Sequence, residues 1–171
     1  GKTSLINLVS GAYSEYTGNI LLDDIPIYNY DLTSIRKYTG IVLQEDTLIE
    51  GTILENIVLN KDTISMPWLL EIARVTKLYD FIQNQRDGFE TMVVPYKKNL
   101  PSSIVMSILL TRAIYHKPTL LLLEDPFTGY TPEEINRLQD FIVTQFNPTV
   151  MIIQNDQQSI SGIEKIIDTA I

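Results

Sequence analysis

Apolar residues follow two rhythms along this chain. At helical spacing they mark TSLINLVS (3–10), closed by Gly11, then SMPWLLEIARVTKL, YDFIQNQR, SSIVMSILLTRAIYH and PEEINRLQDFIVTQF. As unbroken runs they mark TGIVLQ, TLLLLED and TVMIIQND, the pattern of strands buried on both faces. GNILLDDIPI predicts a strand and a turn, and DLTSIRKY a short helix with Asp31 as N-cap. EDTLIEG predicts a loop and TILENIVL the helix after it. DGFETMVVPYKKNLP shows no period and predicts irregular chain, and IEKIIDTAI predicts a last strand. Pro67 and Pro132 stand in first helical turns, where a missing N–H costs nothing. Buried strands separated by helices predict an α/β fold with a mainly parallel sheet flanked by helices. The segment of about 61–115 predicts a helical subdomain inserted between α/β parts at 1–60 and 116–171.

In such sheets ligands bind beyond the carboxyl ends of the strands. Gln44, Glu124, Asp125 and Asn155 all follow strand ends, so four polar residues are expected along one edge. The adjacent acids raise the sharpest question. A strand meeting water explains them simply; paired carboxylates holding a cation and activating a water explain them chemically. At the other end of the chain, GKTS (1–4) opens a helix. A lysine beside free helix-terminal amides suits a phosphate, yet the same four residues also suit a plain capped helix. A downstream strand ending in acids is the complement that a nucleotide–magnesium site needs.

Composition narrows the choice. The 171 residues suffice for one domain with a sizeable core, and 44% apolar with 20% charged residues describes globular protein rather than disorder. A net charge of −8 argues against nucleic acid as a partner. With no cysteine there is no disulfide, thiol nucleophile or cysteine zinc site, and the lone His116 reads as a surface helix-end residue. No apolar run approaches the roughly 20 residues that span a bilayer.

These motifs, in their order, resemble the nucleotide-binding domain of ABC transporters, exporter type, over nearly the whole chain. GKTS resembles the end of the Walker A loop, a P-loop NTPase feature, and GIVLQEDTLIEGTILENI (40–57) the Q-loop region. LPSSIVMSILLTRAIYHKP (100–118) lies where the signature motif belongs, LLLLEDP resembles Walker B, and TVMIIQND holds the switch-histidine strand position. The resemblance implies ATP and Mg²⁺ as cofactors and a P-loop NTPase-like fold. Gly1 and Lys2 would lie on the phosphates, Lys2 at β/γ and Ser4 at α. Thr3, Gln44 and Glu124 would ligate Mg²⁺. Asp125 would be general base, with Gln44 and Asn155 completing the catalytic group. Ser102 and Ser103 would meet a partner's nucleotide. The implied partners are a transmembrane domain, faced by 61–115, and a second nucleotide-binding domain, at the cytoplasmic face of the cell membrane.

Departures from the family pattern concentrate at the chemistry. The acids run Glu124-Asp125 where Asp-Glu is expected, so the first is one methylene too long and the second one too short. Pro101-Ser102-Ser103-Ile104 stands for Ser-Gly-Gly-Gln, Asn155 for the switch histidine and Thr131 for an aspartate. Asn155 can hydrogen-bond but cannot take up a proton near neutral pH. Slow or absent ATP turnover is therefore expected. The chain also opens after the family's first strands and adenine-stacking aromatic, so an N-terminally truncated fragment with weak ATP affinity is expected. An inactive pseudo-domain with a regulatory or docking role is the alternative. Another P-loop ATPase would fit Lys2 and Glu124 but leave 40–57 unexplained.

Overall fold

Three short parallel strands carry the molecule. The computed structural model describes residues 2–13 (Lys2 by its backbone), 15–43, 46–59, 64–95 and 100–154. Strand β3 (Thr39–Val42), β6 (Leu120–Glu124) and β7 (Thr149–Ile153) form a sheet of order β3-β6-β7, all parallel. Register pairs Val42 with Leu123 and Glu124 with Ile153, so the carboxyl ends line up along one edge. Leu121, Leu122 and Leu123 are essentially fully buried, as the central position of β6 requires.

Helix α1 (Lys2–Val9) comes first, followed by a hairpin of β1 (Leu21–Leu22) and β2 (Ile25–Pro26). Asp23 and Asp24 both have positive φ, the two-residue turn whose twist suits a hairpin. Helix α2 (Leu32–Tyr38) is capped by Asp31, whose carboxylate accepts from Ser34 N–H at 2.9 Å. Helix α3 (Ile53–Val58) opens with a capping box between Thr52 and Glu55. Helices α4 (Met66–Val75), α5 (Tyr79–Gln83) and α6 (Ser102–Tyr115) follow, and α7 (Pro132–Gln145) joins β6 to β7. Thr131 and Glu134 make a second capping box at its start.

These elements match the expectations, with short 3-10 turns at Ile27–Asn29 and Gly88–Glu90 and one strand pairing added. Gly51–Thr52 (β4) pairs antiparallel with Met92–Val93 (β5), inside the stretch expected to be irregular. The final strand expected from IEKIIDTAI lies outside the described residues. The hydrophobic core runs without a break from Val42, Leu121 and Leu123 through Leu69, Ile72, Ile108 and Ile114 to Ile135 and Leu138. Trp68 extends it as packing: its ring stacks on Phe141 at 5.5 Å, and its indole N–H donates to the Tyr115 carbonyl at 2.8 Å. His116 ends α6 on the surface, as expected, with Nε2 at 3.1 Å from the Val58 carbonyl.

Helix α6 lies directly on β3. A Cβ on Gly40 would sit 2.1 Å from the Ala113 carbonyl oxygen and 2.8 Å from Leu121 Cδ1. Backbone cannot yield as a side-chain end can, so Gly40→Ala must lift the helix from the sheet. A loss of about 2–3 kcal/mol in urea denaturation is expected; wild-type stability in that variant would contradict this packing.

Candidate nucleotide site at the strand carboxyl edge

The first turn of α1 meets the tip of β6. Strands from a parallel sheet end together, and a helix N-terminus placed over that edge presents its unpaired N–H groups there. Here the Thr3 hydroxyl donates to Glu124 Oε1 across 121 residues of sequence. Glu124 is the last residue of β6 and is only 5% exposed; Thr3 is half-buried. A buried carboxylate needs such a donor, because desolvation without one is costly. Ser4 is exposed beside Thr3 on the same turn.

Asp125 follows at once. Its N–H donates to the Ile153 carbonyl at 2.8 Å, adding one rung to the β6–β7 ladder. Its φ of 44° then turns the chain away from the sheet, a conformation that aspartate tolerates better than most residues. Pro126 and Phe127 are buried behind it. Both acids therefore stand at the tip of the leucine strand, with Thr3 against the first of them.

Other candidate residues fall elsewhere. Ser102 and Ser103 open α6, both exposed, with the Pro101 carbonyl accepting from Ile104 and Val105 N–H at 3.0 Å each. That helix belongs to the layer packed on β3, α3 and α4, whereas Thr3 reaches the edge from α1. Gly1, Gln44 and Asn155 lie outside the described residues, and of Lys2 only the helical backbone is described.

Among the described residues no three His, Cys, Asp or Glu side chains converge, so a cage of such ligands is not present. A hydroxyl and one carboxylate held together instead fit Mg²⁺, which takes hard oxygens and keeps several of its waters.

A family model described as ABC transporter matches residues 1–128. The chain belongs to the ABC transporter family. It is an ATP-binding domain of the P-loop NTPase kind, related to the exporter type. The colicin V secretion/processing ATP-binding protein of Escherichia coli is 26% identical over 167 residues, covering 98% of this chain and 24% of that protein. ABC transporter B family member 14 of Arabidopsis thaliana is 29% identical over 168 residues, covering 98% of this chain and 14% of its own length. In fold the chain is similar to a bacterial Atm1-family ABC exporter solved with ATP bound, at a TM-score of 0.78 and 23% identity, covering 90% of this chain and 27% of that one. The chain thus spans about a quarter or less of each of these proteins. ATP and Mg²⁺ are the ligands typical of this ABC family. None of the helices described in this ABC domain is long and apolar enough to cross a membrane.

Two polar residues of this ABC domain escaped the sequence reading of the site. Asn56, fully buried, accepts from Ile49 N–H at 2.8 Å and donates to the carbonyls of Ile49 and Thr52 at 3.0 and 2.9 Å. Arg112 Nε donates to the Asn56 carbonyl at 2.6 Å and Nη2 to its side-chain oxygen at 3.1 Å. Burial lowers the Arg112 pKa, partly offset by Asp46, whose carboxylate accepts from Leu43 N–H at 2.7 Å. Together they pin Ile49 and Thr52, ahead of α3, to α3 and α6. An asparagine beside Glu55 in a helix reads as surface, so the hint was Ile53 three residues before Asn56, on the same helical face.

Two substitutions test this framework. Thr3→Val removes the donor to a buried carboxylate and should cost about 1.5–3 kcal/mol in urea denaturation, with Thr3→Ser near wild type. Asn56→Ala strands the backbone groups of Ile49 and Thr52 and should cost about 2–3 kcal/mol; a loss below about 0.5 kcal/mol would show that water replaces the amide.

Proposed function

We propose that this chain is the ATP-binding domain of an ABC exporter, coupling ATP binding to transmembrane export, with hydrolysis slowed by its altered acid pair. The contact between Thr3 and Glu124 carries this reading, since it sets a helix N-terminus and a carboxylate at one point of the strand edge. Lys2 contacts the β- and γ-phosphates, the α1 amides and Ser4 receive the α-phosphate, and Gly1 lets the backbone approach. Thr3 and Glu124, with Gln44, hold Mg²⁺, which neutralises phosphate charge. Asp125 is the acid placed to accept the proton of an attacking water, and Asn155 stands by as a hydrogen-bonding group without proton uptake. Ser102 and Ser103 face the nucleotide of a second ATP-binding domain, and segment 61–115 faces the transmembrane domain at the cytoplasmic side of the membrane.

Reversed acids separate binding from turnover. Total charge is unchanged, so Mg²⁺ and ATP are still accepted. Asp125 is one methylene shorter than the glutamate expected there, and a displacement of about 1 Å costs on the order of 100-fold in rate. Thr131, where an aspartate is expected, is already engaged: its hydroxyl accepts from Glu134 N–H at 3.3 Å. Pro101-Ser102-Ser103-Ile104 at the start of α6, where Ser-Gly-Gly-Gln is expected, favours a second reading in which the domain is an inactive pseudo-domain with a regulatory or docking role.

Titration of the complete protein with ATP, with and without Mg²⁺, decides the binding step. Binding is expected in wild type, and a loss of about tenfold or more in Lys2→Ala. No binding in wild type would refute the ATP reading. Glu124→Asp combined with Asp125→Glu should raise turnover on the order of 100-fold. Robust wild-type ATPase activity, lost in Lys2→Ala, would refute the slowed hydrolysis; no gain in the double variant would favour the docking role.

A further inference from the structure

Lys77 adopts a conformation that its side chain does not like. It follows the C-cap Thr76 of α4 at φ 63°, and Leu78 N–H returns to the Ala73 carbonyl at 2.8 Å. That is a helix end with a left-handed residue, where glycine or asparagine is usual. Leu59 and Lys117 also take positive φ after helices, so what sets Lys77 apart is the reach of its side chain. Lys77 Nζ donates to the Gly129 carbonyl at 3.2 Å and to Glu134 Oε2 at 2.9 Å, and it stands 5.0 Å from the centre of the Tyr130 ring. Its three targets all lie in the loop that follows the acid pair, or at the start of the next helix.

Tyr130 returns the contact. Its hydroxyl donates to the Thr76 carbonyl at 2.9 Å, and its ring meets Phe127 edge-on at 6.2 Å. Burial raises the phenol pKa to about 12, so it remains a donor at physiological pH. Thr76 in turn is tied to α6 by a 2.7 Å contact between its hydroxyl and that of Thr111, both buried. Glu134 keeps its capping contact, accepting from Thr131 N–H at 2.8 Å. An exposed ion pair alone contributes little. Here it is joined to a shielded phenol bond and a cation over a ring, all spanning the same two segments.

We propose that Lys77 is a positioning residue: with Tyr130 it fastens residues 126–131, the loop leading out from Asp125, to the carboxyl end of helix α4, so that the helical segment and the acid loop move as one body. Asp125 is held at one end of the loop by Ile153 and at the other, through Tyr130, by Thr76. The functional weight of this latch rests on the nucleotide reading above, but the latch itself is tested without nucleotide. Amide hydrogen exchange on the complete protein is the measurement. Lys77→Gly removes the side chain while easing the left-handed backbone, so global melting should change little. Exchange across 128–134 should rise about tenfold, and Lys77→Arg should restore it. Tyr130→Phe, which deletes only the hydroxyl, should raise exchange in the same segment. Glu134→Gln should do so too, because glutamine preserves the capping box. Exchange in Lys77→Gly within about twofold of wild type, or Lys77→Arg as fast as Lys77→Gly, would overturn the proposal; should Lys77→Gly not fold, Tyr130→Phe and Glu134→Gln decide by the same criterion. With Mg²⁺ and ATP added, wild type should gain protection both at α1 and in the last turn of α4, and Lys77→Gly only at α1. Protection at neither place would count against the ATP reading and leave the nucleotide-free comparison to judge the latch.

Discussion

A hydroxyl and a carboxylate 121 residues apart set the terms for this molecule. Glu124 is the one carboxylate in the buried class among the described residues, and it ends a strand whose preceding residues are leucines with no polar atom to offer. Its burial is tolerable only with donors brought from outside the sheet, and α1 brings one. The helix must therefore lie across the end of β6, and β6 must hold the register that puts Glu124 opposite Ile153. Slipping β6 by one residue would put a leucine where the acid meets Thr3 and carry the carboxylate away from its donor.

Polar contacts buried elsewhere give this arrangement its specificity. Helix α6 is apolar on nearly every side because it is enclosed by β3, α3 and α4. Apolar packing alone would let such a helix rotate or slide at modest cost. The Thr76–Thr111 hydroxyl pair fixes it to α4, and Arg112 on Asn56 fixes it to α3. Each of these contacts leaves an unpaired buried group if the helix moves, so together they define one register. The loops at the strand edge inherit that definition, through Asn56 on the β3 side and Thr76 on the β6 side.

Much of this was legible in the sequence, for physical reasons that also explain what was not. Asp31 before a helical run, Pro132 in the first turn of another and four leucines in succession are local signals, and the structure bears out all three. The meeting of α1 with the tip of β6 was expected from motif order. The β4–β5 pairing escaped because two-residue strands carry no period, and Gly51 and Val93 meet only through the folding of everything between. Lys77 escaped because backbone sign is invisible in a sequence: a lysine after a helix looks like solvated charge until its φ is known. Tyr130 carries no local signal in the sequence, and its reach to Thr76 is what distinguishes it.

The acid order acquires a physical sense from these contacts. Glutamate extends its carboxylate roughly 1.5 Å beyond aspartate, and at the tip of β6 that reach lets Glu124 touch the Thr3 hydroxyl directly. Under the proposed reading, then, the longer acid need not prevent cation binding, and Thr3 and Glu124 would hold Mg²⁺ together. Asp125 has no matching remedy. Its backbone is tied to Ile153 and its loop to Thr76, so the chain cannot advance to offset the missing methylene. Under that same reading, the ties that hold the strand edge in shape would keep the second acid short of its water.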